Sequence, residues 1–301
     1  MLLLLALALT SGCAWLDRKQ REIIYRPTPG VPANFAGLRP GDQRYFVALP
    51  SVAGEADQAL EMWWLPHPDR DAPTLLYFHG TFRNLYENAR KIDALREAGF
   101  SVLAVDYRGW GRSSAITPSE QTILQDANLA WSELQRRQPL AARRVIYGHS
   151  MGSGVAVDLA SRLHAPGDYA ALILESAFTS FTDVAHEAGL LAGWMAALSS
   201  ERFASVEKIA RVDAPLLMIH GSADTTIPVL LGEKLFDAAR PPKRWIKIAG
   251  GAHSDLDLVA HDAYQAALRD WIREYLSRRP SPSAETPAPS AAARPDPARR
   301  V

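Results

Sequence analysis

The sequence predicts an α/β fold, with a mostly parallel central sheet of about eight strands and helices on both faces. Three observations lead there. Short β-rich runs alternate with amphipathic stretches from residue 44 onward. Most of the runs are continuously apolar, as parallel strands covered on both faces must be. The stretches between them carry apolar residues at three- and four-residue steps, which gives each one buried face. Such alternation winds into right-handed crossovers and places ligands at the C-terminal ends of the strands.

The elements follow in order. Arg44–Leu49 and Ala59–Leu65 read as an opening pair of strands. Thr74–Phe78, Ser101–Val105, Arg144–Tyr147, Ala170–Leu174, Pro215–Ile219 and Arg244–Ile248 are the apolar runs that follow. Helices are predicted over Asn84–Ala98, Ser119–Arg137, Met151–His164, Val229–Ala239 and Ser254–Leu276. In the first helix Leu85, Ala89, Ile92 and Leu95 supply the apolar face. The folded domain is placed at residues 40–278, after a tether and lead-in over 13–39.

Composition bounds the function. The 33 Lys and Arg balance 33 Asp and Glu, so no basic stripe is available for nucleic acid. Eight Trp, nine Tyr and nine Phe supply too much core material for a disordered chain. The single cysteine, Cys13, allows neither an intrachain disulfide nor a cysteine zinc site. No H-E-x-x-H is present, and the reading requires no metal and no cofactor.

Both ends differ from the middle. Met1–Leu9 is an unbroken apolar run, far short of the roughly 20 residues that span a bilayer. It suits the core of a secretory signal over residues 1–12, followed by Thr10-Ser11-Gly12-Cys13. This end resembles a bacterial lipoprotein signal, which implies a lipidated Cys13 as the mature N-terminus and a membrane tether. With Ala14 next, the resemblance implies the periplasmic side of the outer membrane in a Gram-negative envelope. At the other end, residues 279–301 are rich in Pro and Ala without apolar period. Such a segment cannot offset the entropy of ordering, and it reads as a disordered tail.

The chemistry sits just after the strands. Gly148-His149-Ser150-Met151-Gly152 is G-x-S-x-G between a strand and a helix, the context that motif requires. The sharp turn strains Ser150, and side chains two residues to either side would collide. Gly152 and Gly154 let the helix approach the sheet. The serine then lies at a helix N-terminus, where developing negative charge is favoured. A serine hydroxyl needs a base, and the base an orienting acid. Asp224 follows the strand ending at Ile219, and His253 follows the next strand, giving the order Ser, Asp, His. His261 is the other histidine beyond Asp224, and it falls on a helix face. Glu175, after the strand ending at Leu174, is a rival acid. Donors for an oxyanion are assigned to the amide of Met151, directly after the nucleophile, and to that of Thr81 in His79-Gly80-Thr81-Phe82. His79 reads as a loop-structuring residue, and Trp110 as either pocket wall or core.

Phe78-His79-Gly80, Asp106-Tyr107-Arg108-Gly109-Trp110-Gly111-Arg112-Ser113, the Ser150 elbow, Leu174-Glu175-Ser176-Ala177-Phe178-Thr179-Ser180, His220-Gly221-Ser222-Ala223-Asp224 and the His253 loop occur in this order. Together they resemble the α/β-hydrolase superfamily, and within it the serine aminopeptidase-like S33 group with small caps. The resemblance implies a Ser-His-Asp hydrolase acting on a small-molecule acyl ester or thioester. A peptidase using the same triad is the alternative within that chemistry, with Glu187 or Glu201 as the acid that would grip a free amine. A non-catalytic envelope scaffold is the third reading. Where many relatives carry Asn, this chain has Thr81, and Phe82 and Arg83 follow, which makes the rim narrower or more basic. The roughly 40 residues from Glu175 to Ala214 exceed an ordinary loop. With Leu190, Leu191, Trp194, Met195 and Leu198 at helical spacing, residues 177–212 read as a small cap over an acyl cleft, or as plain cover for the sheet.

Overall fold

The computed structural model describes residues 15–50, 54, 56–189, 192, 193, 196 and 199–276. Cys13, the apolar run before it, the tail from residue 277 on, and Leu190, Leu191, Trp194, Met195 and Leu198 of the cap lie outside the described residues.

Eight strands form one sheet in the order β1-β2-β4-β3-β5-β6-β7-β8. β1 (Gln43–Ala48) and β2 (Ala59–Leu65) are antiparallel to each other, and β2 is antiparallel to β4 (Ser101–Val105). The rest of the sheet is parallel: β3 (Thr74–Phe78), β5 (Arg144–His149), β6 (Ala171–Glu175), β7 (Leu216–Gly221) and β8 (Lys243–Ile248). All eight predicted strands are present, β2, β3 and β4 with the predicted ends and the other five with ends shifted by one or two residues.

Strand side chains alternate between faces, and the two cores follow that alternation. Leu76, Phe78, Ile146, Leu172, Leu174 and Met218 pack with α2 (Glu120–Arg137), α3 (Met151–Ala160) and α6 (Val229–Ala238). Leu75, Tyr77, Val145, Tyr147, Ile173 and Leu217 face the other way, onto α1 (Ala89–Glu97), α7 (Leu256–Val259) and α8 (His261–Trp271). α2 starts where its sequence says it should. Ser119 accepts a hydrogen bond from the Thr122 amide, and the Thr122 hydroxyl accepts one from the Ser119 amide, which satisfies two otherwise orphaned donors.

The strand order determines where a ligand can sit. β3 and β5 are neighbours, with Phe78 opposite Gly148. The chain leaves β3 for α1 on one face and leaves β5 for α3 on the other. The crevice opened by that divergence is the switch point of an open α/β sheet.

The lead-in differs from a free tether. Residues 15–25 are helical, and Tyr25 is fully buried. Its ring meets Trp110 edge-on at 6.4 Å and its hydroxyl bonds the Glu201 carboxylate. Pro29 then bridges to Gly111. An aromatic anchor of this size dominates local packing, so the packed molecule begins well before residue 40. Around the cap, α4 (Phe181–Glu187) and α5 (Ser205–Lys208) sit on the α2 and α3 side, where Phe181 and Phe203 pack together at 4.9 Å. Phe203, and not the sheet, is what a side chain at Gly154 would strike.

Candidate active site

Ser150 caps the N-terminus of α3 with φ 54° and ψ −126°, a strained backbone for a residue with a Cβ. Its neighbours allow it. A Cβ on Gly148 would lie 2.2 Å from the Gly152 carbonyl oxygen, and one on Gly152 would lie 2.1 Å from that of Phe78. Only glycine fits at either position, because the elbow folds on itself and presses against β3.

The loops after β5, β7 and β8 bring the three predicted side chains together. Ser150 Oγ is 2.8 Å from His253 Nε2, and His253 Nδ1 is 2.8 Å from Asp224 Oδ2. The second oxygen of Asp224 accepts the amides of Thr226 and Ile227 at 2.9 and 2.8 Å. His220 approaches Asp224 Oδ2 at 3.4 Å while also donating to the Ile227 carbonyl. Burial alone would raise the Asp224 carboxyl, but the hydrogen bonds from His220 and His253 outweigh it and hold the group well below the carboxylate range. Asp224 is therefore a fixed anion behind the imidazole.

Two neighbours hold the His253 backbone. Its carbonyl accepts the Ser176 hydroxyl at 3.1 Å and the Nε2–H of His149 at 3.0 Å. The His149 ring lies 5.2 Å from that of His253, centre to centre. Burial, then the charge of Lys91, pushes His149 down to about 3, so it is neutral whenever the protein is folded in ordinary buffers. The loops after β7 and β8 are stitched by Ser222 to Ile248 and Ala223 to Gly251 backbone bonds of 2.9 Å each.

The loop after β3 lies opposite. A Cβ on Gly80 would be 3.0 Å from Ser150 Cβ. Trp110, fully buried, donates its indole N–H to the Thr81 carbonyl at 2.8 Å. His79 donates to the Gly80 carbonyl at 2.6 Å and pairs with Asp106 at 3.3 Å. The loop is thus held rigidly from beneath, and Trp110 braces it from the core. Neither the Thr81 amide nor the Met151 amide meets a protein acceptor among the described residues. Thr81 and Ser150 line the same cleft.

The rival residues go elsewhere. Glu175 is fully buried and does not reach His253. It bonds Lys91, Tyr147 at 2.6 Å and Tyr264 at 2.8 Å. His261 is exposed on α8 and pairs with Glu97 at 3.0 Å. Glu201 is occupied by Tyr25 and by the amide of Glu120, and Glu187 is exposed. A cleft of about 570 Å³ opens over Ser150 and His253, and neither Glu187 nor Glu201 lines it. Among the described residues of 177–212, none does. His149, His220 and Ser176 were not singled out by sequence reasoning. Their signal is weak: each is a polar residue at or just past a strand end, and only the register shows what it touches.

Comparison with known proteins agrees with this architecture. Residues 70–207 match the family model described as serine aminopeptidase, S33. An uncharacterized protein of Mycobacterium tuberculosis is 31% identical over 277 residues, covering 90% of this chain and 93% of the relative. Uncharacterized protein YfhR of Escherichia coli K12 is 33% identical over 232 residues, 76% of each chain. Lysophosphatidylserine lipase ABHD12 of Danio rerio is 34% identical over 201 residues, 60% of this chain and 51% of the relative. Among solved structures, an alpha-beta hydrolase of Vibrio vulnificus superposes with a TM-score of 0.68 at 21% identity, covering 83% of this chain and 92% of that one. An esterase of Pyrococcus furiosus superposes at 0.64 with 17% identity, over 83% and 98% of the two chains.

Proposed function

The chain belongs to the serine aminopeptidase S33 family of α/β hydrolases, and from that premise we propose that it cleaves carboxylic esters or thioesters through Ser150, His253 and Asp224. The observation that carries the reading is the unbroken run of 2.8 Å contacts from Ser150 through His253 to Asp224. Ser150 Oγ attacks the carbonyl carbon as its proton passes to His253 Nε2. Asp224 holds the opposite ring nitrogen protonated and stabilises the imidazolium that forms. The amides of Met151 and Thr81 take the oxyanion. Collapse of the intermediate breaks the bond to the alcohol or thiol, which leaves with the proton from His253. Water attacks the acyl-enzyme, giving its proton to His253, and the acid departs as Ser150 regains its hydrogen.

Esters are favoured over peptides with a free amine because, among the described residues, neither Glu187 nor Glu201 lines the cleft. The name of the Danio rerio relative, a lipase, points the same way. Fluorophosphonate should label Ser150, and Ser150→Ala should abolish labelling and lower kcat by on the order of 10⁴–10⁶. A purified Ser150→Ala protein that turns over ester at the wild-type rate would overturn the mechanism, and an unlabelled wild type would favour a scaffold.

We propose in addition that Cys13 is lipidated and holds the protein on the cell envelope, on the periplasmic side of an outer membrane where the cell has one. No helix among the described residues is long and apolar enough to cross a membrane. Cys13→Ser should release the protein from the membrane fraction or block its processing. Unchanged mass with unchanged membrane association would refute the anchor.

A further inference from the structure

Two arginines line the cleft over Ser150, and they differ in what they face. Arg90, on α1, is committed: its guanidinium pairs with Asp257 and donates to the Ser254 carbonyl at 3.1 Å. Arg83 is exposed and, among the described residues, its side chain has no ion pair, hydrogen bond or ring contact. The acid in the cleft wall, Asp255, turns one oxygen back to the Ala252 amide at 2.7 Å and forms no ion pair with Arg83. Phe82, between Thr81 and Arg83, is 47% exposed, and Arg26 lies over its ring at 5.2 Å. The rim therefore presents an apolar ring with a guanidinium on either side in sequence or space.

Resting on the ester-hydrolase reading above, we propose that Arg83 is a specificity-determining residue that binds an anionic group on the substrate. Arg83 follows Thr81 by two residues, a span of at most about 7 Å of chain. An anion held by its guanidinium and a carbonyl whose oxygen sits on the Thr81 amide would then share the one cleft that Thr81, Arg83 and Ser150 line. The fitting substrate is an amphiphilic ester with a phosphate or carboxylate in its alcohol part and an acyl chain that uses apolar surface such as Phe82 and Leu258. A guanidinium fork matches either oxyanion and makes charge-assisted hydrogen bonds to it. Leu258 is 62% exposed and lines the same cleft.

Three matched substrates test the proposal with the full-length protein: the oleoyl esters of glycerol, of glycerate and of glycerol 3-phosphate. Wild type should prefer a charged ester over the neutral one in kcat/KM, and the better of the two identifies carboxylate or phosphate. Arg83→Ala should lower kcat/KM for that ester by about 10- to 100-fold, the worth of a hydrogen bond to a charged group, and leave the glycerol ester unchanged. Arg83→Lys should recover part of the loss, and the preference should weaken in high salt. The Arg83 side chain holds nothing in the fold among the described residues, and its carbonyl bond to Asn88 survives substitution, so the variants keep the wild-type melting temperature and fluorophosphonate labelling. Equal turnover of all three esters by wild type, or an equal loss on all three in Arg83→Ala, would overturn the anion subsite while leaving the hydrolase intact. No labelling and no turnover of any ester would overturn the hydrolase reading and the subsite with it.

Discussion

Glu175 and Asp224 are carboxylates at the ends of adjacent parallel strands, and burial alone would raise both. Each is carried the other way by different partners. Glu175 is the last residue of β6 and shares the parity of Ile173 and Ala171, so it points toward α1 and α8. There it meets Lys91, whose charge does most to bring its carboxyl down to about 2, with His149 and Tyr147 adding to it. Asp224 lies three residues past the end of β7, free of the strand register, and folds back onto the amides of Thr226 and Ile227. Its remaining oxygen faces His253, whose other nitrogen faces a serine. An acid locked to a fixed ammonium and two phenols builds structure. An acid that holds an imidazole in one tautomer supports proton transfer. The partner, and not the position at a strand end, separates the two.

Exchanging each carboxylate for its amide gives the largest separation. Asp224→Asn should lower kcat by roughly 10⁴ through the wrong imidazole tautomer, with little change in melting temperature because the amide oxygen can still cap Thr226 and Ile227. Glu175→Gln should cost up to about 3–5 kcal/mol of stability, since buried Lys91 loses its nearest carboxylate and keeps only Asp257 at 3.6 Å, while the folded fraction keeps most of its turnover. Steady-state kinetics and chemical denaturation on both variants read the two effects apart. Near-full activity in Asp224→Asn with a dead Glu175→Gln would reverse the assignment.

The same logic applies from the cation's side. Lys91→Met strands Glu175 and should destabilise by a similar ~3–5 kcal/mol, whereas the double variant Lys91→Met with Glu175→Leu should regain only part of it, since the buried Tyr147 and Tyr264 hydroxyls lose their acceptor. A double variant no better than the single would show that Asp257, 3.6 Å from Lys91, carries the network instead.

Acid sharpens the contrast further. The folded-state carboxyl of Glu175 lies near about 2, below an unfolded value of about 4.3. Its contribution is therefore fully present above the unfolded value and is lost as pH falls toward the folded one. Wild type should lose stability across that window, and Glu175→Gln, already weaker, should show a flatter acid limb in denaturation series. Parallel limbs would mean that other carboxylates dominate acid unfolding.

The sequence made the strands and the Ser150 elbow legible because both depend on local pattern: apolar runs bounded by turns, and glycines where backbones touch. Asp224 and His253 were legible from chain order. What was not legible depends on which element packs above which. That Glu175 meets Lys91 follows from β6 parity and the α1 face together, and neither run of sequence contains the other. Tyr25 falls within the predicted tether and lead-in over 13–39, because its partners, Trp110 and Glu201, lie far along the chain. The cap offered helical spacing but no long-range signal, and the described part of it packs aromatic against aromatic away from the cleft.

The smallest expected effect concerns how the two regions communicate. Ser176 directly follows Glu175, has φ 49°, and donates its hydroxyl to the His253 carbonyl at 3.1 Å. The residue next to the structural acid thus orients the backbone of the proposed base, His253, sharing that carbonyl with His149 at 3.0 Å. A neutral hydrogen bond contributes about 0.5–1.5 kcal/mol net, so Ser176→Ala should slow kcat by only about 2- to 13-fold. KM and melting temperature should stay close to wild type, because Ser176 does not line the cleft and its backbone bond to the Ile219 carbonyl at 3.0 Å survives. The rate of fluorophosphonate labelling should fall by the same factor as kcat, since both require the imidazole in register with Ser150. A loss of kcat without slower labelling would place the effect after acylation, and no loss at all would mean that His149 alone is enough to hold the His253 loop.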